Sequence, residues 1–128
     1  MGKKNVISAT ICLVAALTIA AVTGKNFMDI KKPDTLHPSA NVTETKMLSD
    51  YFGDLKGTYA DTPIYVFKGS KPGGSMLLLG GTHPNEPAGY LAAVTFLENV
   101  KVDEGTVYVI PRACNSGFTN NDAQEASP

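Results

Sequence analysis

Lys3 and Lys4 are followed by an uncharged run from Asn5 to Gly24, and its centre, Ile11 to Val22, contains only Thr18 as a polar residue. As a helix this run reaches roughly 30 Å at about 1.5 Å per residue, enough to cross a bilayer. Two lysines before an apolar stretch form the charged and hydrophobic regions of an export signal, and Ala20, Ala21, Thr23 and Gly24 are small enough for signal peptidase. Residues 1–24 are therefore expected to be a signal peptide or a membrane anchor that adds nothing to a globular core. Both alternatives stay open at this stage. Either one exports the remainder, because the positive charges stay inside. Cys12 lies too early, and without the small-residue context it would need, Ile11 standing directly before it, to be a lipid-modified cysteine.

Setting that segment aside removes 15 of the 55 hydrophobic residues of the 128-residue chain and leaves 104 residues with nine basic and twelve acidic side chains. One small domain is the most that such a remainder can build. A slightly acidic balance with a single arginine offers no basic footprint for a phosphate backbone, so nucleic-acid binding is not expected. The same composition excludes a collagenous chain, a disulfide-dense mini-protein and a multispan membrane protein. Cys12 and Cys114 would have to join the apolar segment to the globular part, so no bridge between them is expected, and Cys114 reads as a partly buried loop thiol.

Residues 25–58 read as a polar linker. Lys31, Lys32, Pro33, His37 and Pro38 are set among many Ser, Thr, Asn and Asp residues, with apolar positions too scattered for a sustained period and at most a helical turn around Met47 to Phe52. His37 has no partner at metal-ligand spacing and reads as solvated surface. The pattern then tightens. Ile64 to Phe67 is a β-branched and aromatic run, Lys71 to Gly74 is turn chemistry, and Met76 to Leu79 is apolar at every position, as in a strand buried on both faces of a parallel sheet. From Ala88 to Val100, Tyr90, Ala93, Val94 and Leu97 fall at helical offsets behind Pro87, and Thr106 to Ile110 is a further strand. Strand, helix and strand make a βαβ unit with an expected right-handed crossover. The fold class expected is α/β: a partial mixed or parallel sheet containing that unit, occupying residues 59–122, preceded by a hydrophobic helix and followed by a polar tail at 123–128.

Between the apolar strand and the helix the chain reads Gly80-Gly81-Thr82-His83-Pro84-Asn85-Glu86-Pro87-Ala88-Gly89. The carboxyl end of a strand is where open α/β sheets bind ligands. His83 and Glu86 each precede a proline, which pushes both away from helical angles, so a tight loop rather than a helical face is expected. Both side chains can then converge on one point, and an imidazole nitrogen with a carboxylate oxygen suits zinc at about 2.0 to 2.2 Å. The bare His-x-x-Glu spacing arises by chance roughly 0.08 times in a chain of this composition, so the strand before it and the helix after it are what make it informative. A purely structural role is the competing reading, with Glu86 placed at the positive end of the helix dipole. Arg112, the chain's single arginine, lies in the loop after the next strand, and a planar guanidinium is a natural fork for a carboxylate or a polarised carbonyl. The competing reading pairs it with a local acid such as Asp122.

The stretch LLLGGTHPNEPAG resembles the first zinc-ligand motif of the succinylglutamate desuccinylase and aspartoacylase family, related to the zinc carboxypeptidases, whose loop usually reads Gly-x-His-Gly-Asn/Asp-Glu-Pro-Ala-Gly. Pro84 stands where that family usually has glycine, and the likeness covers about residues 64–121. The resemblance implies a zinc carboxypeptidase-like (phosphorylase/hydrolase-like) sheet with helices on both faces, one Zn2+ held by His83 and Glu86, and substrate binding by Arg112 and Asn115. It also implies hydrolysis of an N-acyl amino acid or peptide-like amide. The family draws its third ligand, a histidine, and its general-base glutamate from sequence well beyond this motif, whereas no histidine follows Glu86 before Pro128. Glu98, Glu104 and Glu125 have no spacing that recommends them as bases, and no catalytic residue is assigned within the chain. The expectation is thus an exported zinc-dependent deacylase or carboxypeptidase-like hydrolase represented by its amino-terminal part and inactive alone, either truncated or encoded in pieces with a separately encoded carboxyl-terminal half. The rival is a non-enzymatic exported or membrane-anchored βαβ remnant with weak or no metal binding.

Overall fold

The computed structural model describes residues 2–30, 32 and 34–120 and divides the chain into two units, at 1–32 and 33–128. The first unit is a single helix, α1 (Lys3–Ile30), long and apolar enough to cross a membrane. It passes the expected boundary at Gly24 without a break. One glycine inside a helix costs only about 1 kcal/mol, and Asp29 takes salt bridges from Lys25 and Lys32 at 2.6 Å each. Its large apolar side chains, such as Leu17 and Ile19, are exposed, and the hydroxyls of Thr10, Thr18 and Thr23 bond back to carbonyls four residues earlier. Such back-bonding satisfies a hydroxyl in an apolar surround.

The second unit is an α/β domain built on a mixed four-stranded sheet. Its strands are β1 (Glu44–Met47), β2 (Pro63–Lys68), β3 (Lys71–Leu79) and β4 (Glu104–Ile110), in the spatial order β1-β2-β4-β3. β2 is antiparallel to both β1 and β4, while β3 runs parallel to β4 with Met76 opposite Val107 and Leu79 opposite Ile110. The parallel pair is joined by α2 (Pro87–Asn99), so the expected βαβ unit is present, and β4 lies between the two sequence-adjacent strands β2 and β3. A short helix, α3 (Asn115–Asn120), follows β4.

Alternation along each strand produces two apolar faces. Phe67, Val109 and Leu78 face α2, where Leu97 is fully buried among them, with Tyr65, Phe96 and Val107 packed around the cluster. Removing side chains of that size from water stabilises the fold by about 1.5–3 kcal/mol each. Ile64, Val66 and Ile110 face the other way and meet Leu48 and Tyr108.

Two expectations change. The stretch taken as a linker at 25–58 supplies β1, with Thr45 opposite Tyr65, and two 3-10 turns at Leu48–Asp50 and Gly53–Leu55. Its isolated apolar residues escaped a periodic reading because they act singly: Leu36 and Val42 plug the Phe67–Leu97 cluster from the side. Ser39 N–H donates to the Leu97 carbonyl (3.0 Å), and Thr43 donates to the Val66 carbonyl through both N–H and hydroxyl (2.9 Å each). The second change concerns β3. Its continuous apolar run does not lie inside the sheet, because β3 is an edge strand, longer than expected, in which Met76 is 46%, Leu77 57% and Leu79 53% exposed.

Candidate functional site

Because β3 and β4 are parallel, their carboxyl ends open on the same side of the sheet, and the two loops that follow are stitched together. Gly80 N–H donates to the Ile110 carbonyl (2.9 Å), Ala113 N–H to the Gly80 carbonyl (2.8 Å) and Cys114 N–H to the Gly81 carbonyl (3.1 Å). The Gly-Gly pair is sterically required. A Cβ on Gly80 would collide with Ala93 on α2. Gly81 has φ +60°, and a Cβ there would stand 2.7 Å from both the Phe118 ring and the Pro111 carbonyl. The loop is thus pinned between α2 and the Pro111–Phe118 segment before His83 is reached.

His83 and Glu86 sit where the prolines direct them, in a non-helical turn closed by Glu86 N–H to the His83 carbonyl (3.0 Å). Glu86 is the residue before α2, with φ −108° and ψ 86°, and Pro87 opens the helix. Both side chains are exposed and both line one cavity of about 150 Å³, together with Thr82, Ala88, Gly89 and the Leu79–Gly81 backbone. An imidazole and a carboxylate on one small cavity fit two of the three protein ligands of a catalytic zinc site. Among the described residues, no cluster of three or more His, Cys, Asp and Glu side chains is formed.

Arg112 lies on the adjoining loop, clamped rather than free. Its Nη2 donates to the Asp34 carbonyl (2.7 Å) and to the Tyr90 hydroxyl (3.2 Å), while that hydroxyl donates to Asp34 Oδ2 (3.2 Å). The guanidinium lies 5.5 Å from the Tyr90 ring centre and 5.9 Å from that of Phe118, and the two rings stand 5.1 Å apart. Contacts of this kind hold Arg112 in one orientation. Its Nε is buried with no hydrogen-bond partner among the described residues. Asp122, considered as a pairing acid, lies outside the described residues. Burial pushes the nearby Tyr65 phenol above its ordinary value, with the Arg112 charge opposing and Tyr90 reinforcing that shift.

Asn115 is brought to the same end of the sheet, but its amide nitrogen donates to the carbonyls of Tyr59 (2.9 Å) and Asp61 (3.0 Å). In this arrangement it ties the segment before β2 to the start of α3. Thr62 does a similar job, its buried hydroxyl donating to the Arg112 carbonyl (3.0 Å). Cys114 is half-buried and His37 exposed, and neither Cys12 nor Cys114 is in a disulfide. The Asp34, Tyr90 and Phe118 surround of Arg112 was not readable from the sequence. Tyr90 falls on the buried face of α2 and reads as core, and Asp34 lies 78 residues from Arg112 in a polar stretch with no pattern of its own. No family model, curated protein or solved structure matches the chain.

Proposed function

We propose that the chain carries part of the metal site of an exported, zinc-dependent amide hydrolase with a zinc carboxypeptidase-like sheet, acting on N-acyl amino acids or peptide-like substrates. The observation that carries this reading is the placement of His83 and Glu86 on one cavity at the carboxyl end of β3, in a loop held by Gly80 and Gly81. His83 and Glu86 would hold the ion, which supplies Lewis acidity toward an amide carbonyl when bound. Arg112 is the candidate for a substrate carboxylate. To take one it exchanges the Asp34 carbonyl for the ligand, while the Tyr90 and Phe118 rings keep the guanidinium in place. A third zinc ligand and a general base come, on this reading, from polypeptide beyond the described residues, such as a carboxyl-terminal half. Localisation follows α1, as a signal or as a membrane anchor.

The test is zinc titration by calorimetry on the full chain in detergent micelles. Binding is expected to be weak and to be lost in His83→Ala and in Glu86→Ala. N-acyl amino acids are expected to stay uncleaved until a segment supplying a histidine and a glutamate is added, since loss of a general base alone costs about 100- to 10,000-fold in rate. Zinc affinity indifferent to both substitutions would overturn the reading. A second reading, a non-enzymatic exported or membrane-anchored remnant, is favoured by the commitment of the Asn115 amide and of Arg112 Nη2 to backbone carbonyls. Zinc binding too weak to detect would select it.

A further inference from the structure

We propose that the protein pairs with a second copy of itself along the free edge of β3, the two strands antiparallel and centred on Leu77. The proposal stands apart from the metal reading and does not need zinc.

The backbone sets the register. Gly80 N–H points to β4, where it meets the Ile110 carbonyl. Along a strand the N–H and C=O of successive residues turn to opposite sides, so Met76, Leu78 and Gly80 address β4 while Ser75, Leu77 and Leu79 address the open edge. A two-fold axis at Leu77 makes Leu77 a hydrogen-bonded pair with its own copy and sets each Ser75 opposite the other copy's Leu79. All three open residues are satisfied at once. Leu77 also lines an apolar groove of about 290 Å³ with Leu48, Tyr51, Ile64, Tyr108 and Ile110 on the sheet face away from α2. Pairing at Leu77 joins the two grooves across the axis.

Charge selects the orientation. From Pro72 to Asn85 the chain holds no Asp, Glu, Lys or Arg, with Lys71 before that stretch and Glu86 after it. β3 keeps a regular register against β4 from Ser75 to Leu79, with an irregularity between Lys71 and Ser75, so the pairing is confined to that regular stretch; antiparallel pairing keeps the two Lys71 side chains at opposite ends of it, whereas parallel pairing sets Lys71 beside Lys71. Area sets the strength. Met76, Leu77 and Leu79 are about half exposed. Together with the exposed residues 71–75 of the same strand they offer on the order of 500 Å² per copy, so the pair buries at most about 1,000 Å², the lower limit of a specific interface. Association is therefore weak and dependent on concentration.

The experiment uses the full chain in detergent micelles, with mass from sedimentation equilibrium and amide hydrogen exchange by NMR over a wide concentration range. Dimers are expected, with exchange at Ser75, Leu77 and Leu79 slowing by more than about tenfold as they form. Leu77→Lys places two like charges at the axis and should give monomers with these three amides released, the amides of Leu78 and Val109 remaining protected as a sign that the sheet is intact. A second variant needs no loss of association. Leu77→Cys, with Cys12→Ser and Cys114→Ser, should oxidise to a covalent dimer, since hydrogen-bonded antiparallel pairs hold Cα atoms about 5.5 Å apart, within disulfide range, while Leu91→Cys in the same background should not. A chain that stays monomeric, a dimer that survives Leu77→Lys, no cross-link at residue 77, or protection of these amides by a different polypeptide would each overturn the proposal.

Discussion

The two edges of the sheet are built in opposite ways. β1 is four residues long and carries Glu44 and Lys46, which pair with each other at 3.3 Å, while Glu44 also reaches Lys68 at 3.5 Å. Short length and alternating charge are how a sheet edge is closed to further pairing. β3 is nine residues long, has no charge after Lys71, and leaves Met76, Leu77 and Leu79 half-exposed. The β1 side is finished as a protein surface, whereas the β3 side leaves large apolar side chains in solvent. The candidate metal loop hangs from the unfinished side, so whatever covers β3 also comes to lie beside His83 and Glu86.

Packing separates the core from the β3 edge most strongly. Leu97→Ala in the shared core is expected to cost about 2–5 kcal/mol in denaturant unfolding, whereas Leu79→Ala on the β3 edge should cost under about 1 kcal/mol. Equal losses would mean that β3 is as enclosed as the core. Next in size is Gly81→Val, which places a branched side chain at φ +60° against Phe118 and the Pro111 carbonyl. A loss of about 1–3 kcal/mol is expected and, on the proposed metal reading, a loss of zinc binding with it, because the strain falls on the loop that carries His83. If zinc binding survived intact, the coupling of the loop to Phe118 would be wrong.

Between the edges, Tyr65 links stability to pH. Its burial raises the folded-state value above the ordinary 10.0. The neutral phenol is then favoured in the fold, so this contribution is complete below about pH 10 and is lost as pH rises through the raised folded value. Tyr65→Phe should move the alkaline unfolding midpoint upward, and an unchanged midpoint would remove Tyr65 from that transition. The smallest effect is expected at the finished edge. Glu44→Lys sets like charges beside Lys46 and Lys68, yet at an exposed site it should change stability by no more than about 1 kcal/mol. A larger loss in thermal unfolding would show the β1 edge to be a load on the core rather than a border.

Much of this architecture was legible in one dimension. The apolar run after Lys4, the β-rich runs at Ile64 to Phe67 and Thr106 to Ile110, and the helical spacing of Tyr90, Ala93 and Leu97 behind Pro87 depend on local preference and periodicity, which neighbouring residues carry. The prolines after His83 and Glu86 likewise dictate a non-helical turn, because the steric restriction acts on the adjacent residue. Tertiary structure decided what depends on partners far along the chain. β1 became a strand because β2 offered it an antiparallel neighbour, although Glu44 to Met47 has weak strand character of its own. The clamp on Arg112 needed Asp34 from before the sheet, Tyr90 from α2 and Phe118 from α3. Sequence alone determined that β3 is apolar on both faces; that it lies at an edge was decided by the insertion of β4 between it and β2. Strand order is a property of non-local pairing, and the side-chain alternation that reveals a strand is the same whether one neighbour or two lie beside it.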